Sequence, residues 1–341
     1  MSISTTLRRI MLVGAVAATA ALALSGCGAI TTDAGDSKAG FQLADYIQKR
    51  VDEKKPLRIK LSYHDPSLAF ATPISAGMKK AGEEMDADVQ LIGPTGGDAA
   101  KQVSELQTLI QQQSVDGLAV SSASSDALKP VIQQAYNAGI PIISFNTDNA
   151  GSKQMGFVGQ DLKGSGKSEA EQLVKTLGAT TTGKVVVFSL DTGAGWSHDR
   201  FDGFKEGIAS ASGLEVVGPV NVGNEPSAAY NTVESTMSGQ SGVVAIAGLD
   251  CCSTTAAAKW VADSGNTGKI TTVGFDLLPQ TATYVKDGVV SFTISQNPEK
   301  QGYEAVKVLV DYLKKGTKIS GVDTGAQFID KANIADATVE G

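Results

Sequence analysis

Two polar residues stand where apolar runs stop and helix signals begin. Asp276 ends the run 270–275 just before a helical pattern over 277–286, and Gln296 ends the run 289–295 just before Asn297-Pro298. In an open parallel sheet, ligands sit outside the carboxyl ends of the strands. Both side chains therefore fall on the ligand edge, where a carboxylate accepts hydrogen bonds and an amide both accepts and donates them. Taken alone, Asp276 could equally be a helix N-cap and Gln296 a loop residue.

Other chemistry is poorly supplied. The stretch Gly164-Ser165-Gly166-Lys167-Ser168 looks like the end of a phosphate loop, but that pattern needs glycine at 161, where Asp161 stands. There is no GxSxG elbow and no HExxH, and only two histidines occur, His64 and His198, with no ligand spacing around them. No catalytic set, metal or cofactor is therefore assigned. Paired carboxylates at strand ends leave a sugar-cleaving enzyme open as an alternative.

Cys251 and Cys252 are adjacent. Oxidation outside the cytoplasm would join them, although Cα atoms about 3.8 Å apart across a trans peptide fall short of the usual disulfide range of about 4.4–6.8 Å. A strained vicinal disulfide and two small thiols packing a helix start both fit.

Elements that must hold these residues follow from the apolar pattern. Strand patterns cover 57–62, 89–92, 117–120, 141–145 and 157–158, with amphipathic helices at 73–85, 99–112 and 125–138 between them. After Asp161 the alternation restarts, with helices at 164–177, 200–211, 226–237 and 254–263 and strands at 184–189, 215–220, 243–247 and 270–275. Such alternation means parallel sheets flanked by helices, and two runs mean two Rossmann-like lobes. About 285 residues also exceed what one core usually holds.

Residues 1–26 read as a lipoprotein signal. Arg8 and Arg9 precede an apolar stretch over 10–24, and Leu24-Ser25-Gly26 leads into Cys27. About 15 apolar residues are short for a membrane span. Acylation of Cys27 would tether the protein to the outer face of the cytoplasmic membrane, with 27–56 as a tether. Losing Arg8 and Arg9 takes the formal charge from −7 to −9. An acidic surface without a basic run argues against nucleic acid or anionic lipid as partner.

Gly274-Phe275-Asp276 and Thr293-Ile294-Ser295-Gln296-Asn297-Pro298 resemble the strand ends of the ribose/galactose-type (type I) periplasmic binding proteins of bacterial ABC importers. The resemblance covers about 57–335 and implies lobes at 57–160 plus 297–324 and 161–296 plus 325–341, joined by a three-crossing hinge. It also implies a monomer that captures a small neutral sugar or polyol and delivers it to an ABC permease. A sensor presenting its sugar to a receptor is the alternative within the fold; a DNA-binding repressor is disfavoured, because a lipid signal stands where a helix-turn-helix would.

By the same resemblance Phe70 takes the place of a stacking aromatic, in the loop that also carries His64 and Asp65, with Trp196 as the opposing plate. A sugar wants such apolar plates and a polar ring around its edge. Ser121 ends the third strand, and Asn146 and Asp148 follow the fourth. An aspartate-arginine pair of ribose-type members is replaced by Asn146-Thr147, which removes a bidentate fork and counts against ribose itself. In the 191–200 loop either His198 or Arg200 supplies the second-lobe contact. Asp250 keeps the acid of an asparagine-aspartate pair, while Leu249 gives up the amide.

Overall fold

The computed structural model describes residues 40–340, so the expected signal sequence and Cys27 lie outside the described residues. The first run is α1 (Asp45–Asp52), β1 (Leu57–Ser62), α2 (Ala71–Met85), β2 (Ala87–Ile92), α3 (Ala99–Gln111), β3 (Gly117–Val120), α4 (Ser125–Asn137), β4 (Ile142–Phe145) and β5 (Phe157–Gly159). The second is α5 (Leu162–Leu177), β6 (Gly183–Ser189), α6 (Gly195–Ile208), β7 (Leu214–Asn221), α7 (Pro226–Ser238), β8 (Val243–Gly248), α8 (Cys251–Asp263), β9 (Thr271–Phe275), α9 (Pro279–Lys286) and β10 (Phe292–Ser295). The chain ends with α10 (Pro298–Lys315), β11 (Val322–Asp323) and β12 (Gln327–Asp330).

Two six-stranded sheets result, ordered β11-β5-β4-β3-β1-β2 and β12-β10-β9-β8-β6-β7. All pairings are parallel except β10 with β12. Central strands such as β3 (GLAV) and β4 (IISF) are buried at every position, as expected of parallel strands covered on both faces. The fold is the expected pair of helix-flanked α/β lobes. Gln160-Asp161, Gln296-Asn297 and Thr324-Gly325 lie between strands of one sheet and elements of the other.

Caps set where the helices begin. Asp98, Ser124 and Asp161 each accept a hydrogen bond from a backbone N–H three residues on, at the starts of α3, α4 and α5. Asn297 does the same for α10, where Pro298 supplies a preset first residue.

Two local expectations change. The segment 41–52, expected within a tether, packs onto the first lobe: Ile47 is buried in its core, Ala44 N–H donates to Gly139 O at 3.0 Å, and Arg50 reaches Asp116 at 3.0 Å. Its pattern is weak in sequence because only one side chain, Ile47, is fully buried. The expected 191–200 loop is helical from Gly195 on, so α6 starts five residues earlier than its apolar period suggests.

Candidate functional site

Loops at the carboxyl ends of β1, β4, β6, β8, β9 and β10 meet around a cleft that narrows to a cavity of about 40 Å³. Eight of the twelve residues expected to bind ligand line it: His64, Phe70, Asn146, Trp196, Arg200, Asp250, Asp276 and Gln296. Cys251 lines it as well. The lobes touch around it, since Cys251, Cys252 and Leu278 of the second pack into the apolar cluster holding Phe70 and Phe145 of the first.

A chain of side-chain hydrogen bonds runs from one lobe to the other. Gln296 Nε2 donates to Asp276 Oδ1 at 2.9 Å, and Gln301 Nε2 to Gln296 Oε1 at 3.1 Å. Asn146 Nδ2 donates to Gln301 Oε1 at 3.1 Å, and Ser121 Oγ to Asn146 Oδ1 at 3.1 Å; His64 Nδ1 lies 2.9 Å from Ser121 Oγ. The backbone joins in: Thr324 Oγ1 donates to Gln296 O at 2.8 Å and Gln160 Nε2 to Gly325 O at 3.1 Å. All three passages between the sheets are thus tied to the site.

Asp276, Asn146 and Asn297 adopt left-handed backbone, with φ of 70°, 59° and 56°. Asp and Asn tolerate that region better than other residues with a Cβ, and such conformations concentrate where a site holds a side chain in place. Burial, partly offset by the Arg200 guanidinium and the Gln296 amide, raises the Asp276 carboxyl from 3.8 to about 6. Burial lowers His64 to about 4, leaving its ring neutral at pH 7.

Arg200 rather than His198 faces the cleft. Its Nη1 donates to Leu249 O at 2.7 Å and its Nη2 to Gln160 Oε1 at 3.1 Å, while its guanidinium lies 3.9 Å from the Phe275 ring centre. His198 is exposed and contacts Thr192 O at 2.7 Å. Helical geometry explains the choice: Arg200 falls on the same face of α6 as the buried Trp196, Gly203 and Phe204.

Three further expected residues do not line the cleft itself. Ser121 stands behind it, supporting His64 and Asn146. Asp148 accepts from Gln154 Nε2 at 2.6 Å within its own loop. Asp65 lies beside the cleft, held by Ser67.

Asp250 lines the cleft but is occupied. It accepts from the N–H groups of Cys252, Ser253 and Leu190 and from Ser253 Oγ, at 2.8–2.9 Å. Four bonds fill the acceptor sites of a carboxylate, so this acid is the cap of α8. The cysteines beside it are free thiols with sulfurs 3.4 Å apart, not a disulfide; they form the first turn of α8, whose capped geometry sets their spacing. A carboxylate oxygen of Asp250 and the two sulfurs lie within 4.8 Å of one another, but the filled Asp250 leaves that trio without a free oxygen ligand.

Tyr63, Gln301 and Glu340 belong to the site and escaped the sequence reading. Tyr63 lines the cleft and is buried. Gln301 is fully buried on the apolar face of α10, a polar break in the pattern that could have flagged it. Glu340 Oε2 accepts from Leu277 N–H at 3.1 Å and Oε1 from Ser295 Oγ, so it braces from behind the strand ends carrying Asp276 and Gln296. Nothing local in the sequence marks that role.

The chain is 28% identical to the xylose/arabinose-binding protein of Sulfolobus acidocaldarius, over 90% of this chain and 80% of that one. It is 25% identical to a ribose import binding protein of Bacillus subtilis, over 76% of this chain and 83% of the relative. A solute-binding protein of Burkholderia graminis, solved in complex with D-arabinose, superposes with a TM-score of 0.78 at 25% identity, covering 83% of this chain and 98% of its own. These relatives are binding proteins rather than enzymes, and the family implies an extracytoplasmic location. Among the described residues no helix is long and apolar enough to cross a membrane. The profile of the periplasmic binding protein domain matches residues 59–318, and the chain belongs to that family.

Proposed function

We propose that this protein captures a small neutral sugar or polyol between its lobes and delivers it to an ABC importer permease, held at the outer membrane face by a lipid on Cys27. The observation that carries the reading is the relay from Asp276 through Gln296 and Gln301 to Asn146, beside the rings of Tyr63, Phe70 and Trp196. Rings offer apolar faces to C–H groups, and the relay offers fixed acceptors and donors to hydroxyls. With His64 neutral and Asp276 facing Arg200, the cleft has no surplus cation to attract a phosphate or carboxylate. The named relatives, binders of xylose, arabinose and ribose by their names, support the same class.

A thermal-shift screen against pentoses, hexoses, deoxysugars and polyols tests it. A ligand at about 100 times its dissociation constant stabilises the folded state by about 2.7 kcal/mol. A shift with at least one neutral sugar or polyol is expected; a flat response across the panel would overturn the proposal.

A further inference from the structure

A second chamber adjoins the cleft and remains open although the lobes touch. Its cavity volume is about 200 Å³, against about 40 Å³ in the inner chamber. His64, Leu68, Leu190 and Trp196 line both spaces, so these four side chains, two from each lobe, form the thin partition between them. Its far walls are glycine-rich loops from opposite lobes. A Cβ added at Gly96, Gly97 or Gly223 would meet nothing within 4 Å.

The chemistry of those walls is polar and free of fixed cations. Asp65, Ser122, Asp191, Asn221 and Asn224 face the chamber, and no lysine or arginine does. Asp65 is 3% exposed. Its Oδ1 is taken by the N–H and hydroxyl of Ser67 at 3.1 and 2.5 Å, while its Oδ2 has only a long contact of 3.4 Å from Asn224 Nδ2 of the other lobe. That leaves a buried carboxylate oxygen with acceptor capacity for a hydroxyl. Carboxylates without a cation repel phosphates and uronates and suit uncharged polyols.

We propose that inner and outer chambers are two subsites of one site, and that the preferred ligand is a neutral disaccharide or glycoside. One ring lies against Asp276 and Gln296, the link passes beside Trp196, and the second ring donates hydroxyls to Asp65 and Asn224. This rests on the sugar-binding reading above and narrows its substrate class.

Calorimetric titration of the purified protein separates the two. D-Xylose, L-arabinose, D-glucose and D-galactose are each compared with a disaccharide containing them: xylobiose, arabinobiose, cellobiose and galactobiose. At least one disaccharide is expected to bind about tenfold or more tighter than its monosaccharide. Ala123→Trp and Asn221→Trp fill the outer chamber from opposite lobes, so one remains informative should the other fail to fold by thermal melting. Each should remove that advantage and leave the monosaccharide affinity within about twofold. A monosaccharide that binds at least as tightly as its disaccharide, or filled variants that keep the disaccharide advantage, overturns the two-subsite proposal and leaves the sugar reading standing. Binding of none of the eight sugars counts against both.

Discussion

Asp276 carries two demands at once, a left-handed backbone and a buried charge. Asparagine tolerates the same backbone and keeps the shape, so Asp276→Asn isolates the charge. Hydrogen bonds to an ionised group contribute about 1.5–3 kcal/mol, and the variant should bind sugar about one to two orders of magnitude more weakly by titration calorimetry; unchanged affinity would remove Asp276 from the contact set. The raised carboxyl also fixes a sign. As pH climbs from about 4 to about 6, Asp276 ionises in the unfolded chain before it does in the folded one, so the folded state holds the extra proton and stability falls with rising pH. Glu340, raised to about 7 by burial and then by Asp276, extends that window upward. Ligand-free thermal midpoints of wild type should therefore drop relative to Asp276→Asn across this range, and parallel curves would show that Asp276 is not desolvated.

Arg200 stands on α6 where that helix presses against α5 through glycines. A Cβ at Gly166 would stand 2.0 Å from Arg200 O, and one at Gly203 would stand 1.9 Å from Lys163 O. Those are overlaps with backbone, which no side-chain rotation relieves. Gly166→Ala must push α6 outward together with its arginine, at an overpacking cost of about 1–3 kcal/mol. Urea melts should show a lower midpoint with an unchanged slope, and sugar affinity should fall with it. Lys167→Ala, one residue on and half-exposed, should stay within about 0.5 kcal/mol of wild type. Equal effects from the two substitutions would mean that the helix contact does not hold the site.

Closure joins parts of the molecule that no single lobe contains. Cys251 is 4% exposed and belongs to the apolar cluster built mainly from first-lobe side chains. Opening the lobes would uncover it. Maleimide labelling of the peptide holding Cys251 and Cys252, read by mass spectrometry, should slow when saturating sugar is added, since ligand binds the closed form and shifts the population toward it. A rate independent of sugar would argue that the lobes do not separate. Asp250 holds the N–H groups of Cys252 and Ser253 at 2.9 Å, which keeps both cysteines in the first turn of α8.

Local pattern alone settles the two runs of alternating strand and helix, because the period of buried side chains is written along each segment. It also places Asn146, Asp276 and Gln296 at strand ends, since an apolar run that stops at a polar residue marks that edge without knowledge of its neighbours. Which of those residues meet depends on contacts between segments far apart. Gln301 touches Asn146 from 155 positions away, and Glu340 braces Leu277 from 63. Arg200 displaced His198 because helical phase turned one inward, and Asp250 was spent on a cap because α8 begins directly behind it. Hydrogen-bond capacity is finite, and only the folded arrangement shows where each carboxylate and amide has already used it.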